Sequence, residues 1–396
     1  MLTILSACSS TEELEKVENE AASTDPLTFT CIAQEAEQEA ATRANGSPSL
    51  LTSDFMVSTY KAFAQSGQQT VMSNYHVEYK TSGNAWDGTV RPYWDYTTVP
   101  GQFERYWDYS NYPYRFNAIA PYPSPTKIVL NDKQLTINAP YKMQSCMNGK
   151  TTPEDAEAEP YLVAQVQRYP DGKDYDLMKA SGKKEINTSK NTLNRSVALP
   201  FHHLNSKIRF GVYSTSHWAT ANEMYIKDLI INAASPQFVT NAIGYNAIST
   251  DGDYSWYRGT GNSGFTGISQ ASGIGTRILQ FDGGKDIEGN NLSKHQGRTS
   301  AFWLLCQNGI MQIPQEKVQM TVSFKLYKLD GTLYKTYNDV PIKLDDNTSI
   351  FDWKSGYIYT YYLIISGIED KLEITFTATL TPWEDITGSL STDLEQ

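Results

Sequence analysis

Five histidines, His76, His202, His203, His217 and His295, are the first candidates for acid–base or metal chemistry in this chain. None stands at zinc-ligand spacing from a cysteine pair, and no C-x-x-C occurs. His202 and His203 are neighbours on a stretch that reads as a strand, where successive side chains point to opposite faces, so the two cannot chelate one ion together. Gly259, Gly261 and Gly264 have G-x-G-x-x-G spacing. The following FTGISQASGIG holds too much glycine for the helix whose N-terminus would face a pyrophosphate. The same stretch misses the G-x-S-x-G elbow, because Gly264 directly follows Ser263. Carboxylate pairs such as Asp345 and Asp346, and the run from Glu154 to Glu159, fall among turn residues, where solvation is their ordinary role. No nucleophile, metal cluster or placed acid–base pair emerges, so the residues predict no enzyme activity, no metal and no cofactor.

A second kind of chemistry is offered by a dense aromatic cluster between Trp86 and Tyr122, with Asp87, Asp95, Glu104 and Asp108 interleaved. Exposed rings beside carboxylates hold sugars by stacking and hydrogen bonding, and Trp94 and Trp107 are the candidate glycan contacts. The same rings can instead cap the end of a sandwich, each burying a large area.

Cysteine chemistry divides differently. Cys8, Cys31, Cys146 and Cys306 lie far apart. Cys8 closes Leu5-Ser6-Ala7-Cys8, a short apolar stretch ending in small residues and followed by a polar, acidic run. That arrangement looks like the tail of a bacterial lipoprotein signal, in which the cysteine is cut and acylated, with the numbering starting inside a longer signal or at a misassigned start. Acylated Cys8 would leave three thiols, so full disulfide pairing is impossible. No other stretch approaches the roughly 18 apolar residues of a membrane span.

The elements that must position these residues are strands. Leu27, Phe29, Cys31 and Ala33 alternate with Thr28, Thr30 and Ile32; Val71, Tyr75, Val77 and Tyr79 form another such row, and Tyr114, Phe116, Ala118 and Ala120 follow. Residues 127–137 read as a hairpin turning at Asn131-Asp132, and Met320, Val322, Phe324 and Leu326 lead into Asp330-Gly331, a strong hairpin signal. Ile374, Phe376, Ala378 and Leu380 are set against a row of threonines. Helical candidates are confined to residues 11–22 and 35–41. Lys and Arg number 33 and Asp and Glu 44, giving 33 − 44 = −11 without a basic patch, so nucleic acid and anionic membrane surfaces are poor partners. At 396 residues with many short strands, the chain predicts an all-β architecture of two sandwich domains. The expected division is a signal remnant and tether over residues 1–24, an N-terminal sandwich over 25–192 and a C-terminal one over 193–396, with residues 252–297 an elaborated loop of the second.

Five passages together resemble the fimbrillin-like family, also called minor-fimbrillin-like or type V pilin-like surface lipoproteins. They are Thr42-Arg43-Ala44, PYRFNAIAPYP (113–123), LPFHHLNSKIRFGV (199–212), WKSGYIYTYYLIIS (353–366) and ITFTATLTPW (374–383). The resemblance implies two tandem transthyretin-like β-sandwiches in an elongated molecule, export as a lipoprotein to the outer membrane and cell surface, and a role as fimbrial subunit or adhesin partnered by other fimbrial subunits, with a surface glycan or protein as a further partner. It also implies that Cys8 takes the lipid and that an arginine-specific protease cuts between Arg43 and Ala44. Leu27, Phe29, Cys31 and Ala33 would then mark the strand removed, and Ile374, Phe376, Ala378 and Leu380 the candidate donor that fills another subunit's groove. Cutting at Arg43 severs the body from Cys8, so anchored and polymerised forms exclude each other, and a surface glycan-binding lipoprotein is the alternative reading.

Overall fold

In a computed structural model of the chain, the described residues are 26–33, 51, 53–62, 67–85, 88, 90, 92–124, 127–131, 134–147, 161–177, 184–185, 196–248, 265–268, 273–283, 290–304, 309–344, 349–368 and 371–382. The first half of the chain supplies β1 (Phe29–Ala33), β2 (Phe55–Lys61), β3 (Gln69–Lys80), β4 (Tyr93–Asp95), β5 (Tyr114–Ala120), β6 (Ile128–Leu130), β7 (Gln134–Ile137), β8 (Tyr141–Lys142), β9 (Leu162–Arg168), β10 (Asp174–Asp176), β11 (Lys184–Glu185) and β12 (Val197–His203). The second half supplies β13 (Ser206–Ser214), the short helix α1 (His217–Ala221), β14 (Tyr225–Ala233), β15 (Asn241–Ala242), β16 (Gly244–Ile248), β17 (Phe265–Thr266), β18 (Arg277–Gly283), β19 (Phe302–Trp303), β20 (Ile310–Gln312), β21 (Gln315–Val318), β22 (Met320–Tyr327), β23 (Leu333–Pro341), β24 (Phe351–Trp353), β25 (Tyr357–Ile368) and β26 (Lys371–Pro382). The protein is mostly β-strand, with several antiparallel sheets and almost no helix.

The largest sheet runs β1-β12-β9-β5-β2-β3-β4. Its central strands are covered on both faces, which is why β5 and β9 are buried at every position. One face presents Phe55, Val57, Phe116, Ala118, Leu162 and Phe201 to a first core. The other presents Met56, Ile119 and Val163 to a second core that also takes Ile137 from β7 and Tyr245, Phe265 and Ile313 from the second half. Backbone pairing follows the same path, since β7 pairs with β16 from Ile137↔Tyr245 to Gln134↔Ile248. Sheets β19-β13-β25-β26 and β18-β14-β22-β23 enclose the third core.

Both hairpins anticipated from turn residues are present. The Asn131 side chain accepts from the Gln134 amide at 2.7 Å between β6 and β7. Gly331, at φ +86°, turns β22 into β23, as the positive φ of such a turn requires. Met320, Val322, Phe324 and Leu326 are all buried.

Two placements differ from the sequence expectation. Residues 199–203, assigned above to the second sandwich, belong to β12, which pairs with β1 and β9 in the first sheet. The passage from one sheet to the other therefore falls between His203 and Ser206, beyond the 192/193 division. Alternation marks a strand but not the sheet it joins, and the polar run before Val197 gave the stronger boundary signal. Within the supposed loop of residues 252–297, the strand β18 pairs with β14. Its flanking glycines disguised it, although Ile278, Leu279 and Phe281 are buried. The candidate helices at 11–22 and 35–41, and the glycine spacing at 259–264, lie outside the described residues.

Candidate functional site

The N-terminal strand forms a seam with residues from far along the chain. β1 pairs parallel with β12 over five positions, from Phe29↔Val197 to Ala33↔Phe201, and among the described residues no further strand lies beyond it at that edge. Just upstream, the chain is held on another side. The Leu27 amide donates to the Arg105 carbonyl at 2.7 Å, and Pro26 bridges Tyr106. The Tyr96 hydroxyl donates to the Leu27 carbonyl at 2.9 Å and accepts from the Arg105 amide at 3.1 Å. Burial pushes the Tyr96 hydroxyl well above the ordinary tyrosine range, so it stays a donor.

Side chains fix the same segment. Leu27 is 0% and Phe29 5% exposed. Phe29 meets Phe55 edge-on at 5.7 Å between centroids, with Tyr96 and Phe116 at 6.2 and 6.1 Å. Thr28, on the opposite face by alternation, is also buried and shares a 2.6 Å hydroxyl hydrogen bond with Ser196. Cys31 and Ala33 are placed by their backbone against Leu199 and Phe201, and their side chains lie outside the described residues. Cys8, Arg43 and Ala44 lie outside them as well.

The floor of this seam carries a charged pair. Arg168, at the end of β9, makes a two-pronged contact to Asp174 at 2.6 and 2.7 Å with both side chains fully buried, and its guanidinium lies 4.5 Å from the Trp107 ring. It also donates to the Ser196 carbonyl, beside the Thr28 contact. His202, pointing the other way from His203, meets Asp176 at 2.9 Å. Burial lowers the His203 pKa well below the ordinary histidine value.

The candidate donor strand is situated differently. β26 pairs antiparallel with β25 at twelve positions. Phe376 is buried in the third core, and Ile374 and Ala378 pack against it. Leu380 pairs by backbone with Tyr359, and its side chain lies outside the described residues.

The candidate glycan contacts are corrected by burial. Trp94 is 5% and Trp107 1% exposed, with Trp94 against Tyr79 and Trp107 against Tyr114. A sugar cannot stack on a ring with no open face, so these tryptophans are core. What the sequence did not reveal is that the aromatic cluster supplies Tyr96 and the Arg105–Tyr106 backbone as one wall of the N-terminal seam. Alternation within the cluster marks inward rings, but not which segment they receive.

Cys146 is fully buried and disulfide-bonded. Among the described residues no group of three metal-ligating side chains gathers, and no described helix is long and apolar enough to cross a membrane.

A family model described as fimbrillin-like matches residues 42–383. No curated protein sequence matches the chain. Among solved structures, a fimbrial protein from Bacteroides vulgatus aligns at 16% identity and TM-score 0.48, covering 90% of this chain and 99% of that one. A fimbrilin from Porphyromonas gingivalis aligns at 12% identity and TM-score 0.34, covering 91% and 97%. The fimbrial anchor protein Mfa2 from the same organism aligns at 8% identity and TM-score 0.26, covering 90% and 98%. With the family model spanning most of its length, the chain belongs to the fimbrillin-like family, a structural and non-enzymatic class of pilus proteins.

Proposed function

We propose that the protein is a cell-surface fimbrial subunit or adhesin of two tandem transthyretin-like sandwiches, exported as a lipoprotein through Cys8, whose N-terminal strand is a removable plug. The observation that carries this reading is β1 itself, a five-residue edge strand paired parallel with β12 and set before the first family-matched residue, 42. Burying Leu27 and Phe29 is worth about 3–6 kcal/mol as an upper estimate. Cleavage at Arg43 turns that plug into a separate peptide that can leave. Departure exposes the apolar seam and the unpaired backbone of β12, which another extended segment can fill by strand addition.

β26 is a poor donor from within its own fold, because leaving β25 would strip Phe376 from the third core. The chain is therefore read as an acceptor first, its partners being other fimbrial subunits. Limited tryptic digestion followed by size-exclusion chromatography tests this, with Arg43→Ala as the uncut control. Association after loss of the residue 27–33 peptide supports the reading, and a body that stays monomeric once that peptide has dissociated defeats it.

A further inference from the structure

We propose that the outer face of the C-terminal sheet, around Arg209, Arg298 and Trp303 over the buried ring of Tyr362, binds a carboxylate-bearing saccharide. Strand register puts these groups together. Gly211 is the Cα partner of Trp303 on one side and of Tyr362 on the other, and a Cβ there would meet Tyr362 at 3.1 Å and Trp303 at 3.3 Å. The missing side chain lets both rings lie over β13, 5.8 Å apart between centroids. The Arg209 guanidinium sits 4.7 Å over the Trp303 ring, and that of Arg298 lies 5.2 Å from the Tyr362 ring. Two cations are thus stacked on neighbouring aromatic rings of one sheet face.

Among the described residues no carboxylate pairs with Arg209 or Arg298. The contrast with Arg168, which has Asp174, is instructive in a chain of net charge −11. Arg209 is half-buried, and burial lowers its pKa, with the Tyr362 hydroxyl opposing that shift. Its Nε donates to the Thr360 hydroxyl at 2.7 Å, which anchors the guanidinium and leaves its two terminal Nη groups as a fork. Such a fork matches the two oxygens of a carboxylate.

The surrounding groups select a sugar over a peptide. This is a sheet face, with its backbone groups consumed by β13, β25 and β26, so an extended peptide gains no main-chain pairing there. What it offers are guanidinium donors, the half-buried Trp303 ring and the hydroxyls of Thr375, Thr377 and Thr379, which share the face by pairing with Ile364, Tyr362 and Thr360. Hydroxyl-rich rings bearing one carboxylate satisfy all three. The site does not depend on strand exchange, since it lies on the uncut chain.

Calorimetric titration of the full-length, uncut protein tests the proposal with trigalacturonate and 3′-sialyllactose as probes, against methyl-esterified trigalacturonate, lactose and hexaglutamate. Binding of at least one acidic sugar, tenfold or more stronger than its neutral counterpart and than hexaglutamate, is expected. Arg209→Lys, which keeps the charge but loses the fork, should weaken that binding about tenfold. Arg298→Ala, at an exposed position, should do so in a protein with unchanged thermal unfolding. Binding of neither acidic sugar, equal binding of the neutral forms, tighter binding of hexaglutamate, or binding indifferent to both substitutions would overturn it.

Discussion

β1 and β26 are both edge strands that give a phenylalanine to a core, yet they are held in unlike ways. β1 pairs at five positions with a strand about 168 residues away, while β26 pairs at twelve with its hairpin neighbour β25. Local pairing makes β26 part of the body from which it springs, and Phe376 sits in a core built by the strands around it. Distant pairing leaves β1, among the described residues, attached to the body through Phe29, Leu27, Thr28 and its hydrogen bonds. A cut in the connecting chain therefore separates β1 without breaking any other element. The lesson is that two strands of equal apolar pattern differ in separability through where their partners lie in the chain.

Truncation gives the largest expected effect and would break the comparison most directly. A chain ending at Ile368 should lose cooperative unfolding in circular dichroism, because the third core is left open along β25. A chain beginning at Ala44 should keep a cooperative transition at a lower temperature. If both truncations unfold alike, the two edges are equivalent and the comparison fails.

Next in size, Phe29→Ala should cost the intact chain about 3–5 kcal/mol in denaturant titration, the range for deleting a buried ring. After cleavage at Arg43 and release of the peptide, wild type and variant bodies become the same molecule and should unfold together.

Acid should act on the β1 seam selectively. His203 ends β12 and is held neutral by burial, its pKa below the ordinary 6.5. The unfolded chain binds a proton near that value while the folded chain does not, so this contribution is complete above pH 6.5 and declines as pH falls toward the depressed folded pKa. The slope is about 1.4 kcal/mol per pH unit for one proton. His203→Gln should flatten it, and amide exchange on acidification should rise along β12 before it rises along β25.

The smallest effect sharpens the picture of the seam. Thr28→Val removes the hydroxyl that meets Ser196 while keeping the shape. A loss of about 1 kcal/mol is expected, together with faster exchange of the Val197 amide, which donates to the Thr28 carbonyl at 2.8 Å.

Much of the local structure was legible from residue order. Period-two alternation located β1, β5, β22 and β26, and the turn residues Asn131 and Gly331 located two hairpins, because pleat and turn geometry depend on neighbours within a few positions. Family membership was legible too, through passages scattered over the chain. His202, on the strand predicted around it, is accounted for by its contact with Asp176. β18 was lost among glycines, and Trp94 and Trp107 stood as open alternatives because an aromatic residue looks the same in a core and on a binding face.

What the sequence by itself determined is therefore that the alternating segments are strands, which side of each is apolar, and which family they compose. The tertiary structure alone decided that β1 lies parallel to β12, that the two halves share a core through β7 and β16, and that Gly211 brings Arg209, Trp303, Tyr362 and Arg298 onto one face. The physical reason is that alternation specifies a strand's faces but not its edges. Edge partners are chosen by whichever distant strand completes the hydrogen bonding and fills the core, a choice settled only when the whole chain packs.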